Sequence, residues 1–281
     1  MFQLKTQNQT LIFDRPAVMG ILNVTPDSFS DGGHFNQMDK ALQHCEEMLA
    51  DGADFIDIGG CSTRPNNAIA TEEEEMVRVV PILNAIRKAF PDILISIDTF
   101  RKNIAEVSMD EGADLINDIS GGLFDAEMLP YIGKNHIPYI LMHCVGTPET
   151  MHQYTLSGDI HQTVMDFFKQ QCEVLEAYGE QQIILDPGIG FGKSLEANYR
   201  LLNGLERYRY HGLPILIGIS RKSLIFKVLG TTPQEAENGT TVLNTIALLN
   251  GANILRVHDV KNAREAIELV GTFHQSIGKT S

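Results

Sequence analysis

The 281-residue chain is predicted to be an α/β protein: a single-domain (β/α)8 TIM barrel with a short N-terminal hairpin, residues 1–281 forming one unit. Three observations predict it. Eight short apolar runs rich in branched aliphatic residues recur along the chain, as buried parallel strands require. Longer amphipathic stretches separate them, which is the alternation of a parallel α/β sheet. The phrases "DGADFIDI" (51–58), "EGADLIND" (111–118) and "NGANILRV" (250–257) repeat Gly-Ala-[Asp/Asn] before a run, with glycine placed to end a helix in a left-handed conformation. Periodicity cannot show closure, so a doubly wound open sheet is the alternative.

Taken in order, "FQLKTQNQTLIFD" (2–14) precedes the first strand and reads as a hairpin across the barrel bottom. The strand runs are "AVMGILNV" (17–24), "DFIDIGG" (54–60), "ILISIDT" (93–99), "DLINDIS" (114–120), "PYILMHC" (138–144), "QIILDPG" (182–188), "PILIGIS" (214–220) and "NILRVHD" (253–259). Helical patterns cover 72–89, 160–178 and 260–271 among the intervening stretches. The densest acidic run, Glu72 to Glu75, follows Thr71 and reads as a capped first turn, where the helix dipole favours acids. No Pro/Gly/Ser-rich linker divides the chain.

Composition narrows the function. The net charge is −14, from 22 Lys+Arg against 36 Asp+Glu, which argues against nucleic acid or an anionic membrane as a partner. The first residues do not read as a signal peptide, and no run reaches the ~18 apolar residues of a membrane span. A cytoplasmic protein is expected. Cys45, Cys61, Cys144 and Cys172 form no C-x-x-C pair, so neither a zinc site nor a disulfide framework is signalled.

Barrel active sites are built at the C-terminal ends of the strands. Read there, the runs deliver Asn23, Asp57, Asp98-Thr99, Asn117-Asp118, Met142-His143, Asp186, Ser220-Arg221-Lys222, and Arg256 with His258. One such residue is more often a cap than a catalyst, but eight converging by topology point to a site. Asp98, Asn117, Asp186 and Lys222 could read a planar heterocycle with several edge N–H groups. Arg64, Arg221, Arg256 and His258 are anion binders, and Asn23 offers a neutral oxygen to a hard metal ion. Together these suggest transfer at a phosphorylated or pyrophosphorylated substrate, while Lys222 alone also permits a Schiff-base lyase. The loops 25–33 and 61–70 carry Phe29 and Arg64 and suit lids that exclude water.

The stretch "DPGIGFGKS" (186–194) mimics a phosphate loop and fails the count. A P-loop needs glycine at 187, where Pro187 stands, and a dinucleotide loop needs it at 193, where Lys193 stands. Lys193 either adds to the positive field at the mouth or is solvated at the next helix start.

The strings "MGILNVTPDSFSDGG", "DIGGCSTRP", "ISIDT", "INDISGG", "LMHC", "LDPGIGFGK", "GISRKS" and "RVHDV" occur in an order and spacing that resemble the dihydropteroate synthase family, from about residue 17 to 271. The resemblance implies a (β/α)8 barrel, usually a homodimer, that condenses 6-hydroxymethyl-7,8-dihydropterin pyrophosphate with p-aminobenzoate, releases pyrophosphate, uses Mg2+ and is a sulfonamide target. It implies that Asp98, Asn117, Asp186 and Lys222 bind the pterin, with Asp98, Asp186 and Lys222 as the catalytic residues. Asn23, Arg256 and His258 would hold pyrophosphate, Asn23 at the metal. Thr63, Arg64, Pro65 and Ser220 would form the p-aminobenzoate site with Phe29 and Phe191, and Asp57 matches a family acid. The chain departs from the pattern at Cys61, where many members have glutamate, and at Asn66, where they have glycine. The segment 237–250 also lacks an arginine expected there. A pterin-dependent methyltransferase barrel and a non-catalytic pterin-binding protein are the competing readings.

Overall fold

The computed structural model describes residues 1–6, 9–25, 34–61, 69–147, 150, 156 and 158–277, without the side chains of 34–36. Strands β1 (Phe2–Lys5) and β2 (Thr10–Phe13) pair antiparallel as the expected hairpin. Eight strands follow: β3 (Ala17–Asn23), β4 (Phe55–Gly59), β5 (Leu94–Asp98), β6 (Leu115–Asp118), β7 (Tyr139–Met142), β8 (Ile183–Asp186), β9 (Leu216–Ile217) and β10 (Ile254–Val257). They form one parallel sheet in the order β8-β7-β6-β5-β4-β3-β10-β9. A bridge between Leu185 and Ile215 closes it, and Leu185 N donates to Pro214 O at 2.9 Å. Closure removes the open-sheet alternative. The helices are α1 (His34–Ala50), α2 (Glu72–Ala89), α3 (Lys102–Asp110), α4 (Met128–Asn135), α5 (Ile160–Glu176), α6 (Leu195–Asn203), α7 (Ser223–Leu229), α8 (Glu237–Leu249) and α9 (Val260–Ile277).

Side-chain alternation with period two sorts the strand residues into two cores. Ile56, Ile58, Ile95, Ile97, Ile116, Leu141 and Leu185 point outward and pack under the helices. Phe55, Leu94, Leu115, Ile140, Ile184, Leu216 and Ile254 point inward and fill the barrel bottom. The hairpin plugs that bottom: Phe2 stacks on Phe13 at 4.6 Å between centroids, and Phe13 on Phe55 at 5.4 Å. The lower half of the barrel is therefore dry, and polar side chains one pleat higher can point only toward the mouth.

The Gly-Ala-[Asp/Asn] repeat has a structural cause. Gly52, Gly112 and Gly251 have φ of +95°, +96° and +94°, a backbone region that glycine enters without steric cost. The acid or amide two residues on accepts a backbone N–H from an adjacent strand: Asp54 from Val18 at 2.7 Å, Asp114 from Ile95 at 2.8 Å, Asn253 from Ile215 at 2.9 Å. Arginines brace two of these staples, Arg264 on Asp54 and Arg87 on Asp114, each at 2.5 Å. Asp114→Ala would leave Arg87 and the buried Ile95 N–H short of a partner. The expected cost is about 3 kcal/mol, seen as a lower urea midpoint with an unchanged slope.

Helix α2 begins with the capping box read from the sequence: Glu74 N donates to Thr71 Oγ1, and Thr71 N donates to Glu74 at 2.8 Å. Glu75 shares that first turn and does more. It is fully buried and pairs with Arg101, whose other arm reaches Ala70 O at 2.5 Å.

Candidate active site at the barrel mouth

Register places the site. Asn23 pairs with Gly59, Gly59 with Asp98, and Asp98 with Asn117, so one row of backbone partners carries three of the sequence-predicted polar residues. Asp57, Asn117, Asp186 and Arg256 share the inward face of their strands with the apolar plug below. They converge because the pleat leaves them no other direction.

Arg256 sits at the centre. Its Nε donates to Asp57 and its Nη2 to Asp98, both at 2.6 Å, and Asn117 Nδ2 donates to the same Asp57 oxygen at 3.1 Å. One guanidinium thus holds two carboxylates across the mouth. Burial would lower the Arg256 pKa, but Asp57 and Asp98 outweigh it and keep the charge fixed. Asp98 moves the other way: burial raises it to about 7, Arg256 opposes, and Asp57 adds to the rise. Nε and Nη2 of Arg256 are thus both committed to carboxylates.

The second half of the site is the Asp186–Lys222 pair. Asp186 accepts the Gly188 N–H at 2.7 Å, and burial raises its pKa against the pull of Lys222. Lys222 Nζ donates to Ile189 O at 2.6 Å and lies 4.3 Å from the centre of the Phe191 ring. Burial lowers its pKa to about 8, with Asp186 resisting. Phe191 adjoins a small apolar cluster with Met142, Ile119 and Phe124, which gives the mouth one greasy wall. Ser220 Oγ lies 3.0 Å from His258 Nδ1 and accepts the His258 N–H at 3.2 Å, tying the ends of two neighbouring strands.

Several strand-end residues are not in the mouth. Asp118 points outward and is fully buried, accepting from Ser120 N and Oγ at 2.7 Å, Gly122 N at 2.9 Å and Tyr139 Oη at 2.6 Å. It shapes the "ISGG" turn. His143 is buried edge-on against Phe167, and desolvation lowers its pKa to about 3, so it is a neutral core residue. Arg221, read as an anion binder, is committed bidentately to Asp259 at 2.5 and 3.1 Å. Phe29, Thr63, Arg64 and Pro65 lie outside the described residues.

Asn23 stands at the end of β3, beside Gly59. A Cβ built on Gly59 would lie 3.6 Å from both Asn23 Oδ1 and Asp98 Oδ2, so glycine here leaves these two side chains facing each other across the mouth. Among the described residues no cluster of three or more His, Cys, Asp or Glu could chelate a metal on its own. A neutral amide oxygen beside a carboxylate fits Mg2+, which keeps most of its water and takes the rest of its shell from substrate phosphates.

Sequence reading took Glu75 only as part of a capped first turn, left Lys193 open and missed Asn198. A signal existed for the first: buried residues of α2 fall at 75, 79, 82, 83 and 86, helical spacing that puts Glu75 on the inner face. For Lys193 the solvated alternative gives way, while its positive charge is among those that pull the Asp186 pKa down against burial. Its ammonium donates to three backbone carbonyls, His143 O at 3.0 Å, Gly188 O at 2.8 Å and Phe191 O at 3.0 Å.

Known proteins resemble this chain over most of its length. The family described as "Pterin binding enzyme" matches residues 19–258. The dihydropteroate synthase of Synechocystis sp. is 46% identical over 250 residues, 88% of this chain and 86% of that protein. The crystal structure of Yersinia pestis dihydropteroate synthase with a sulfonamide drug complex superposes with a TM-score of 0.90 at 42% identity, covering 98% of this chain and 100% of that one. The dihydropteroate synthase of Clostridium difficile, solved in the presence of pteroic acid, gives a TM-score of 0.87 at 40% identity, covering 93% and 99%. With the barrel matched almost end to end, the chain belongs to the pterin-binding enzymes and, among them, to the dihydropteroate synthases, which are transferases.

Proposed function

We propose a division of labour for the synthase reaction at this mouth. Asp98, Asn117, Asp186 and Lys222 hold the dihydropterin, Arg256, His258 and Asn23 hold the pyrophosphate, and Phe191 and Ser220 line the p-aminobenzoate side with Thr63, Arg64, Pro65 and Phe29. The observation that carries this is Arg256 bridging Asp57 and Asp98 at 2.6 Å. A pterin edge N–H that claims Asp98 releases Arg256 Nη2, so occupation of the ring pocket strengthens the anion pocket beside it.

The chemistry then needs no side-chain nucleophile. The C–O bond between the pterin methylene and pyrophosphate breaks, its electron pair leaving with the phosphate oxygen. The methylene is left electron-poor, its positive charge shared with the dihydropterin ring. Asp98 and Asp186, fixed beside that ring, favour the charge electrostatically, as preorganised groups do in a dry site. The aryl amine forms the new C–N bond and sheds a proton. Mg2+ held at Asn23, when bound, supplies neutralisation of the pyrophosphate charge.

The same reading extends to a cytoplasmic homodimer of a family that sulfonamides target. No helix among the described residues is long and apolar enough to cross a membrane. Val228, Leu229, Val242, Ile246 and Leu249 on α7 and α8 are exposed apolar side chains that support a dimer face there. A scattering mass of 31.2 kDa, that of one chain, would refute the dimer.

The test is turnover. Protein, Mg2+, the pterin pyrophosphate and p-aminobenzoate should yield pyrophosphate and dihydropteroate in equal amounts. Chelation should cut the rate at least tenfold, and added Mg2+ should restore it. Absence of product from a folded, pterin-binding sample would refute the reading.

A further inference from the structure

We infer that Lys193 and Asn198 are positioning residues that hold the loop 187–192 in the shape that presents Ile189 O and the Phe191 ring to Lys222. The inference rests on the synthase reading of the mouth and goes beyond it, because the hydrogen bonds of both side chains are to backbone, of the loop and of the end of β7.

The loop leaves β8 immediately after Asp186 and must return to α6 within eight residues. It turns by three glycines, Gly188, Gly190 and Gly192, with φ of +68°, +92° and +65°. Their placement answers to neighbours in the protein. A Cβ on Gly188 would sit 1.8 Å from His143 O, and one on Gly192 would sit 2.6 Å from Val145 O. The loop is thus pressed against the chain that leaves β7. So tight a contact brings backbone carbonyls together, and carbonyls repel unless a donor stands between them.

Lys193 is that donor. Its ammonium lies within 3.0 Å of His143 O, Gly188 O and Phe191 O, gathering both ends of the glycine turn and the end of β7 onto one point. From the opposite side, Asn198 on the first turns of α6 accepts the Gly190 N–H at 2.7 Å, while its own amide donates to Lys193 O and Ser194 O at 3.3 and 2.9 Å. Asn198 is 4% exposed, so its side chain is committed to the loop. Between these two braces stand the groups that meet Lys222: Ile189 O at 2.6 Å and the Phe191 ring at 4.3 Å. Burial lowers the Lys193 pKa to about 7, with Cys144 and Asp186 resisting.

The consequence is selective. Asp98, Asn117 and Asp186 sit on strands and keep their places without the braces. Phe191, Ile189 and the rest of the arylamine wall do not. Lys193→Met keeps the length of the side chain and removes its donors. It should raise the KM for p-aminobenzoate at least tenfold, while calorimetric affinity for the pterin pyrophosphate stays within threefold of wild type. Asn198→Ala should move the same KM in the same direction by at least threefold, and the double variant should exceed Lys193→Met by less than the product of the two. Wild-type turnover measured in parallel separates the two levels: its absence would fail the synthase reading, whereas its presence alongside a folded Lys193→Met with a p-aminobenzoate KM within twofold of wild type would overturn the positioning role. Equal loss of both substrates would overturn it too, since that is general damage to the fold. Should Lys193→Met fail to fold, Asn198→Ala decides by the same KM split.

Discussion

Asp98→Asn is expected to lower kcat by about 100- to 1000-fold while pyrophosphate affinity stays within about threefold, the size of effect seen when one preorganised electrostatic group is removed from a transition state. The substitution keeps the shape and an Arg256 contact through the amide oxygen, and it removes the negative charge that the electron-poor methylene needs. Its pH signature is as telling as its size. Burial raises the Asp98 pKa to about 7, against Arg256 and with help from Asp57. The folded protein therefore holds a proton between about pH 4 and 7 that the unfolded chain has lost, and this group's contribution to stability falls as pH rises through that window. For activity the sign reverses, because the carboxylate is the working form. Wild-type kcat/KM for the pterin pyrophosphate should bend downward as pH falls below about 7, and the bend should vanish in Asp98→Asn. An unchanged kcat would remove Asp98 from the mechanism.

Lys222→Ala should weaken pterin binding by about 2 kcal/mol, roughly 30-fold, by calorimetry. Two of the Lys222 contacts, Ile189 O and the Phe191 ring, belong to the loop on the arylamine side; the loss that weakens pterin binding is the third, the positive neighbour of Asp186. The last has a second consequence. Burial already raises the Asp186 pKa, and Lys222 is the largest of the groups that oppose it, so without Lys222 the residual pterin affinity should fall off at a higher pH than in wild type. Normal pterin affinity in the variant would count against the assignment.

The fold was legible because it rests on periodicity and repetition. The eight apolar runs became the eight strands, trimmed at their ends where the chain turns into loops. The clearest trimming is the run 214–220, reduced to Leu216–Ile217 because Gly218 and Ser220 have already left the ladder. The repeat 51–54, 111–114 and 250–253 was visible as a pattern, but the strand-to-strand staple made by its acid was not, since the partner N–H lies 19 to 38 residues away. The strand-end polar residues converged as alternation requires. What alternation alone could not settle was which of two adjacent residues faces in: Asn117 does and Asp118 does not, and the choice is fixed by register with β5. Nor could it show that Arg256 is held by Asp57 and Asp98, a bridge across 199 and 158 residues of sequence. The glycines of "DPGIGFGKS" illustrate the same limit. Their number suggested an approach to a ligand, whereas Gly188 and Gly192 are required by His143 and Val145 of the protein itself.

The most direct measurement is a crystal structure of the chain with the dihydropterin pyrophosphate. The expected result has ring N–H groups on Asp98 and Asp186, Asn117 at the ring edge, and Arg256 Nη2 moved from Asp98 to a phosphate oxygen. A ring bound away from these residues, or a pyrophosphate bound while Arg256 keeps both carboxylates, would contradict it.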